Sequence, residues 1–334
     1  SEAWSSARPV PPMNSRRFMA LAATAATLAG SWSNGASAFC RMTTEGEAQV
    51  GEEPCIEKGE PLEWRRACLS YAIDNRGSRW MSDADIEEAV DLAFEQWENA
   101  DCGGEPPNLI FKPLQPSNCQ RAEYNCEGNV NTIAFLEPWS DPCADRGGYD
   151  PDAFAVTIVW HNTATGEILD ADMMINDTPA GDFSAGGPYA NCPPTGCPSG
   201  TGVSPGPADL RNIVTHEIGH FIGIGHSDIA EATMFASASR ESVDKRSLAP
   251  DDIAAVCTIY PPGDLDQSCD AAPLGGLELD CEQKACTTGS CSSTSSSGGC
   301  SAGGPPNEAP WALVLATLLG LSVLRRRRPS GAGS

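Results

Sequence analysis

His216, Glu217, His220 and His226 have the types and the spacing to do chemistry, and they fall within eleven positions in the order H-E-x-x-H-x-x-G-x-x-H. Only four histidines occur in the whole chain, so most of its imidazoles are concentrated here. On a helix, residues four apart project from one face, so His216 and His220 can reach one ion, while Glu217 is turned aside toward a water on that ion. Gly223 gives the backbone freedom to leave the helix and turn back, which lets His226 return as a third ligand. Three neutral nitrogens and an open fourth position make the ligand set of a catalytic zinc, whose bound water is acidified toward neutrality and can attack a polarised carbonyl. Glu217 is the expected general base, taking the proton from that water and handing it to the departing amine. A closed structural zinc site would not need a carboxylate directly after its first ligand. Met234, eight residues beyond His226, would by itself read as a core residue.

These residues need elements to position them. Cys68 to Asp74 reads as a strand, followed by a turn at 75–77 and a helix with Ser82 as N-cap and Asp83 and Asp85 in its first turn. Ile86, Val90, Phe94 and Trp97 recur at helical spacing, and this stripe is core. Residues 109–114, 131–136, 155–160 and 171–175 read as strands between Gly/Pro/Asn-rich turns. Residues 178–207 form a long Gly/Pro/Ser-rich loop holding Cys192 and Cys197. Pro261-Pro262-Gly263 closes the packed region, after which a Cys/Ser/Thr/Gly-rich stretch reads as a stalk.

The eleven-residue motif together with Ala232-Thr233-Met234-Phe235-Ala236, at the position of a Met-turn, makes the chain resemble the metzincin zinc endopeptidases. Within them it looks like the matrixin catalytic domain. Leu248-Ala249-Pro250-Asp251-Asp252-Ile253 leading to Ile259-Tyr260-Pro261 resembles its closing helix, and the segments 64–97 and 166–172 resemble its opening and the approach to its edge strand. The resemblance covers 61–262. It implies an α+β metzincin (zincin-like) fold: a twisted, mostly parallel sheet, an active-site helix beneath it, and a small irregular C-terminal subdomain carrying His226 and the Met-turn residue Met234. Substrate is expected extended in the cleft, pairing with the edge strand near 171–175. The implied cofactor is catalytic Zn2+ on His216, His220 and His226, and the implied partner is a protein or peptide substrate.

The chain departs from that family in several respects. It has no P-R-C-G-V-x-D propeptide segment, and Cys40 or Cys55 could cap the metal as a thiolate, although a disulfide is the expected fate of both. A second, structural zinc would need more histidines, and His161, the one remaining, reads as a strand or turn residue. Asp150, Asp152, Asp170, Asp172, Asp177 and Asp182 suit structural Ca2+ as readily as they make a solvated acidic surface.

Length and composition set the wider frame. The 334 residues suffice for one or two packed domains with tails. Fifteen scattered cysteines exclude an ordinary cytosolic enzyme, and 45 acids against 21 bases argue against nucleic acid or anionic lipid as partners. Arg16-Arg17, the apolar run 18–30 and Ala36-Ser37-Ala38 read as a signal peptide with an upstream extension (1–38), giving a mature start at Phe39. The expected organisation continues as a short segment (39–60), the protease domain (61–262), the stalk (263–308) and a hydrophobic helix with an arginine cluster (309–328). Gly299-Cys300, the short apolar run and Arg325-Arg326-Arg327-Arg328 resemble the MYXO-CTERM sorting tag of myxobacterial exported proteins; an ordinary C-terminal anchor is the alternative. The expectation is an exported, surface or secreted protein that touches membrane only through this tag, with signal peptidase and a sorting protease as processing partners. With 14 cysteines left if Cys300 belongs to the tag, Cys119–Cys126 and Cys192–Cys197 are the expected local disulfides. The rival reading is an inert zinc-binding adhesion or scaffold module, against which the retained Glu217 argues.

Overall fold

A computed structural model describes residues 39–45, 58–124, 128–139, 149, 153–178, 188–199, 206–263 and 270–281, with the backbone of 313–316. All lie in one unit, from Ala36 onward. The expected signal peptide, Cys55, Cys126, Asp150, Asp152, Asp182 and most of the C-terminal run fall outside these residues.

Largely apolar runs, most of their residues buried on both faces of the sheet, form five principal strands: β1 (Cys68–Ile73), β2 (Ile110–Pro113), β3 (Thr132–Leu136), β4 (Ala155–His161) and β5 (Ile168–Asn176). Their order is β2-β1-β3-β5-β4, with parallel pairing except for the antiparallel β4–β5 pair, so the fold is the expected mixed, mostly parallel sheet. The edge assignment is corrected. Residues 171–175 lie in β5, which pairs with β3 on one side and β4 on the other, so β4 is the outer of the two. Both segments are apolar, and pattern alone does not say which is outermost. The far side of β4 carries a short antiparallel strand, β8 (Leu313–Ala316), so the described part of the expected hydrophobic helix is extended. Among the described residues no helix is long and apolar enough to cross a membrane.

Helix α1 (Asp83–Glu98) begins as expected, with the Ser82 hydroxyl accepting from the Asp85 N–H at 3.2 Å. Its buried face, including Phe94 and Trp97, packs against α2 (Leu210–Phe221), which runs under the sheet. Tyr71 of β1 stacks on Phe94 at 4.0 Å between ring centroids, and Phe221 meets Phe94 edge-on. The Trp97 indole donates to the Thr215 carbonyl at 2.8 Å, tying the two helices through a buried polar bond as well as apolar contact. A small parallel pair, β6 (Tyr189–Ala190) and β7 (Ala208–Asp209), leads directly into α2. The closing helix is α3 (Pro250–Ile259).

Disulfides join distant pieces. Cys192–Cys197 forms as expected, but Cys119 pairs with Cys281 rather than Cys126, and Cys102 pairs with Cys257. Residues 270–281, read from composition as stalk, therefore lie against the sheet's outer loops: Asn118 bridges Asp280, and Asn129 bridges Leu277. A covalent tie and backbone bridges do here what scarce apolar side chains could not.

Candidate metal centre

Helix α2 starts where Asp209 accepts from the Asn212 N–H at 2.7 Å, and Arg246 grips the same carboxylate, its Nε donating at 2.7 Å. The helix stops at Gly223, whose φ of +86° opens a Schellman end: Ile224 N–H donates to the Gly219 carbonyl at 2.8 Å and Gly223 N–H to the His220 carbonyl at 2.9 Å. A Cβ at Gly223 would sit 2.5 Å from the Leu62 carbonyl oxygen, so this position needs glycine for space as well as for φ.

The turn brings the three histidines together. Each offers a ring nitrogen, and these atoms lie within 4.8 Å of one another. His216 and His226 rings stack at 5.4 Å, while His220 stands perpendicular to both. The Nδ1 of His216 is 2.6 Å from the Thr233 carbonyl and that of His220 is 2.9 Å from the Ile224 carbonyl. A carbonyl only accepts, so both Nδ1 atoms carry the proton and both Nε2 atoms keep a lone pair. The Nε2 of His216 is buried without a hydrogen-bond partner, which is costly unless an ion takes the lone pair. Burial, then the neighbouring Lys245 and the other two histidines, push the His216 pKa well down and keep the ring neutral. This donor set fits a divalent metal such as zinc.

Glu217 is almost fully buried, and its Oε2 accepts from the Thr157 hydroxyl of β4 at 2.7 Å. Met234 is buried directly under the ligand helix: a Cβ on Gly219 would come within 2.1 Å of its sulfur. Asp252 fixes the turn that carries Met234, accepting from the Thr233 N–H at 2.7 Å and the Met234 N–H at 3.0 Å. Ser227 links His226 to the same turn: its N–H donates to the Met234 carbonyl at 2.9 Å and its hydroxyl to Asp251 at 2.6 Å.

Thr157 and Lys245 are additions that the sequence did not single out. Lys245 is buried, its ammonium donating to the Phe235 carbonyl and lying 3.3 Å from His216 Nδ1, and burial pushes its pKa down to about 8. Nothing in a threonine on an apolar strand, or a lysine in a polar loop, signals such a place. Asp209 was not singled out either, although an aspartate just before an apolar helical run is an N-cap signal that could have found it. Cys40 is disulfide-bonded, so it is not a thiolate available to cap the metal. His161 closes β4 and is not among the converging histidines. Asp170 and Asp172 share the outer face of β5, where burial and their mutual charge, with Glu123 nearby, push Asp170 well up; burial pushes Asp172 up to about 8. Asp177 instead accepts from the Ser78 hydroxyl at 2.7 Å.

Residues 154–261 match the family model described as Matrixin, which takes in the metal centre, the Met-turn and α3. The chain is 26% identical over 205 residues to the neutrophil collagenase of Homo sapiens, covering 61% of this chain and 34% of that protein. It is 44% identical over 54 residues to the metalloendoproteinase 1-MMP of Arabidopsis thaliana, 16% of this chain and 15% of that one. The chain thus spans about a third or less of the length of these relatives. The α+β metzincin fold class is borne out by the match and by the sheet and helices above.

Proposed function

We propose that this chain is an exported, zinc-dependent endopeptidase that hydrolyses internal peptide bonds, with His216, His220 and His226 as metal ligands and Glu217 as general base. The observation that carries the reading is the convergence of three histidine nitrogens beside a buried carboxylate already oriented by a hydroxyl. Bound there, zinc supplies a Lewis acid for the scissile carbonyl and acidifies water. The chain's own residues do the rest. Nδ1–H bonds to backbone carbonyls hold His216 and His220 in the ligating tautomer. Thr157 fixes Glu217, which takes the proton of the attacking water and returns it to the amine as the C–N bond breaks. An extended peptide would pair along β4, the strand that supplies Thr157, on the edge where β8 lies in this structure.

The disulfides support passage through an oxidising compartment. The leader, the C-terminal sorting tag and its processing proteases complete the proposal as read from sequence, and structural calcium on the acidic loops belongs to it without an assigned ligand set.

The test is cleavage of a mixed peptide library by the oxidatively folded chain loaded with zinc, beside Glu217→Ala and a chelated control. Cleavage lost in both controls supports the proposal. A folded, zinc-loaded chain that leaves every peptide intact would overturn it in favour of an inert binding module.

A further inference from the structure

The turn between the second and third histidines is held almost atom by atom from outside its own helix. The Phe221 carbonyl accepts from the Trp64 indole at 2.7 Å, and the Ile222 carbonyl from the Tyr260 hydroxyl at 2.9 Å. The next two ties come from one short segment. Met42 N–H donates to the Gly223 carbonyl at 3.0 Å, and the Cys40 carbonyl accepts from the Gly225 N–H at 2.8 Å, one residue before His226. Arg41 and Ile224 are paired as an antiparallel bridge.

This segment is itself anchored. Met42 is fully buried, and Phe39 and Cys40 are buried beside it. The Met42 carbonyl accepts from the Leu62 N–H at 2.8 Å, and Arg41 reaches the Leu62 carbonyl at 2.9 Å and Glu63 at 3.0 Å. Cys40 is fixed covalently by its disulfide. Leu62, in turn, is the residue whose carbonyl stands against Gly223. The segment, Leu62 and the turn therefore form three adjacent layers, and only the innermost belongs to the matched region 154–261.

We propose that Cys40–Thr43 is a positioning strap for the metal centre: by fixing the backbone on both sides of Ile224 it sets where His226 stands, and so governs metal retention. The inference rests on the ligand set proposed above. His216 and His220 are placed by α2, whereas His226 follows a glycine whose N–H is held by the strap. Without the strap the third ligand would sample more positions, and each bound geometry would cost that lost freedom. Partners that orient ligands from behind typically contribute about 10- to 100-fold in metal affinity.

The experiment uses the full chain with Co2+ as a spectroscopic probe, titrated by chelator competition, in wild type, Met42→Pro, Met42→Leu and Arg41→Ala. Proline removes the N–H that the Gly223 carbonyl needs, while leucine keeps both the N–H and the bulk. Co2+ affinity should fall about 10- to 100-fold in Met42→Pro with a changed ligand-field band, remain within about twofold of wild type in Met42→Leu, and fall a few-fold in Arg41→Ala. Wild-type affinity and spectrum in a folded Met42→Pro would overturn the strap. Should Met42→Pro fail to fold, Arg41→Ala decides, and an unchanged Co2+ affinity there sinks the proposal. A wild-type chain that binds no Co2+ would instead remove the ligand assignment, and the strap's role with it.

Discussion

His216 and His220 reach their common point by rules acting over four residues, whereas His226 is placed by bonds from segments as far away in the chain as Cys40, whose carbonyl accepts from the Gly225 N–H. The helix-borne pair is carried by α2 and its Asp209 cap, with the Thr233 and Ile224 carbonyls orienting the two rings from behind. The third ligand needs the strap, Leu62, Trp64, Tyr260 and Ser227, contributed by both ends of the domain. Two ligands thus come with secondary structure, and the third comes only with the completed fold. A chain with α2 formed but its ends undocked would hold metal through two nitrogens and would lack the three-ligand site.

The comparison can be broken from either side. Glu217→Gln leaves all three ligands in place, so kcat/KM on a fluorogenic peptide should fall by about 10²- to 10⁴-fold while zinc content stays stoichiometric. If zinc is lost as well, the carboxylate belongs to the scaffold of the helix pair rather than to the reaction. Raising the pH tests the sheet that packs over α2. Asp170 and Asp172 are pushed up in the folded state, so below the ordinary carboxylate range near pH 4 their contribution is fully present, and it is lost as pH rises toward about 8. The metal-free protein should lose up to about 1.4 kcal/mol per pH unit for each proton held across that window, with Asp172→Asn flattening the slope in urea unfolding. A stability that instead rises from pH 5 to 8 would mean that the pair is ionised when folded.

Smaller changes separate the two regions. Gly219→Ala would push a methyl to 2.1 Å from the Met234 sulfur and 3.1 Å from Trp97, so it should cost roughly 1–3 kcal/mol in denaturant unfolding through the helix side. Tyr260→Phe removes the hydroxyl that joins the Trp64 N–H to the Ile222 carbonyl and should cost about 1 kcal/mol, with faster amide exchange at Gly223–Gly225 than at His216–His220. Equal acceleration in both segments would show that the turn is not held separately.

What was legible follows the same division. The motif positions, the Ser82 cap and the stop at Gly223 are local, and each residue type states its own requirement: an imidazole four residues from another, a hydroxyl before a helix, a residue free to take φ of +86°; Met234 was legible only through the family resemblance. The edge strand was misplaced because β4 and β5 are both buried, largely apolar strands, and neighbours rather than composition decide which lies outside. Thr157, Lys245 and the strap were invisible for a related reason: a threonine, a lysine and a methionine act here only through what folding brings beside them. Cys119 found Cys281 rather than Cys126 because 270–281 returns to the sheet, a course its sparse apolar content did not announce.

Cys102 and Cys257 bracket the part of the domain from β2 through most of α3, 155 positions apart. For a chain proposed to cut peptides, a nick anywhere between them, by itself or by a neighbour, would separate nothing. The two pieces would travel as one on a non-reducing gel and part only under reductant. Wear on such a molecule would be recorded as internal breaks rather than as lost mass.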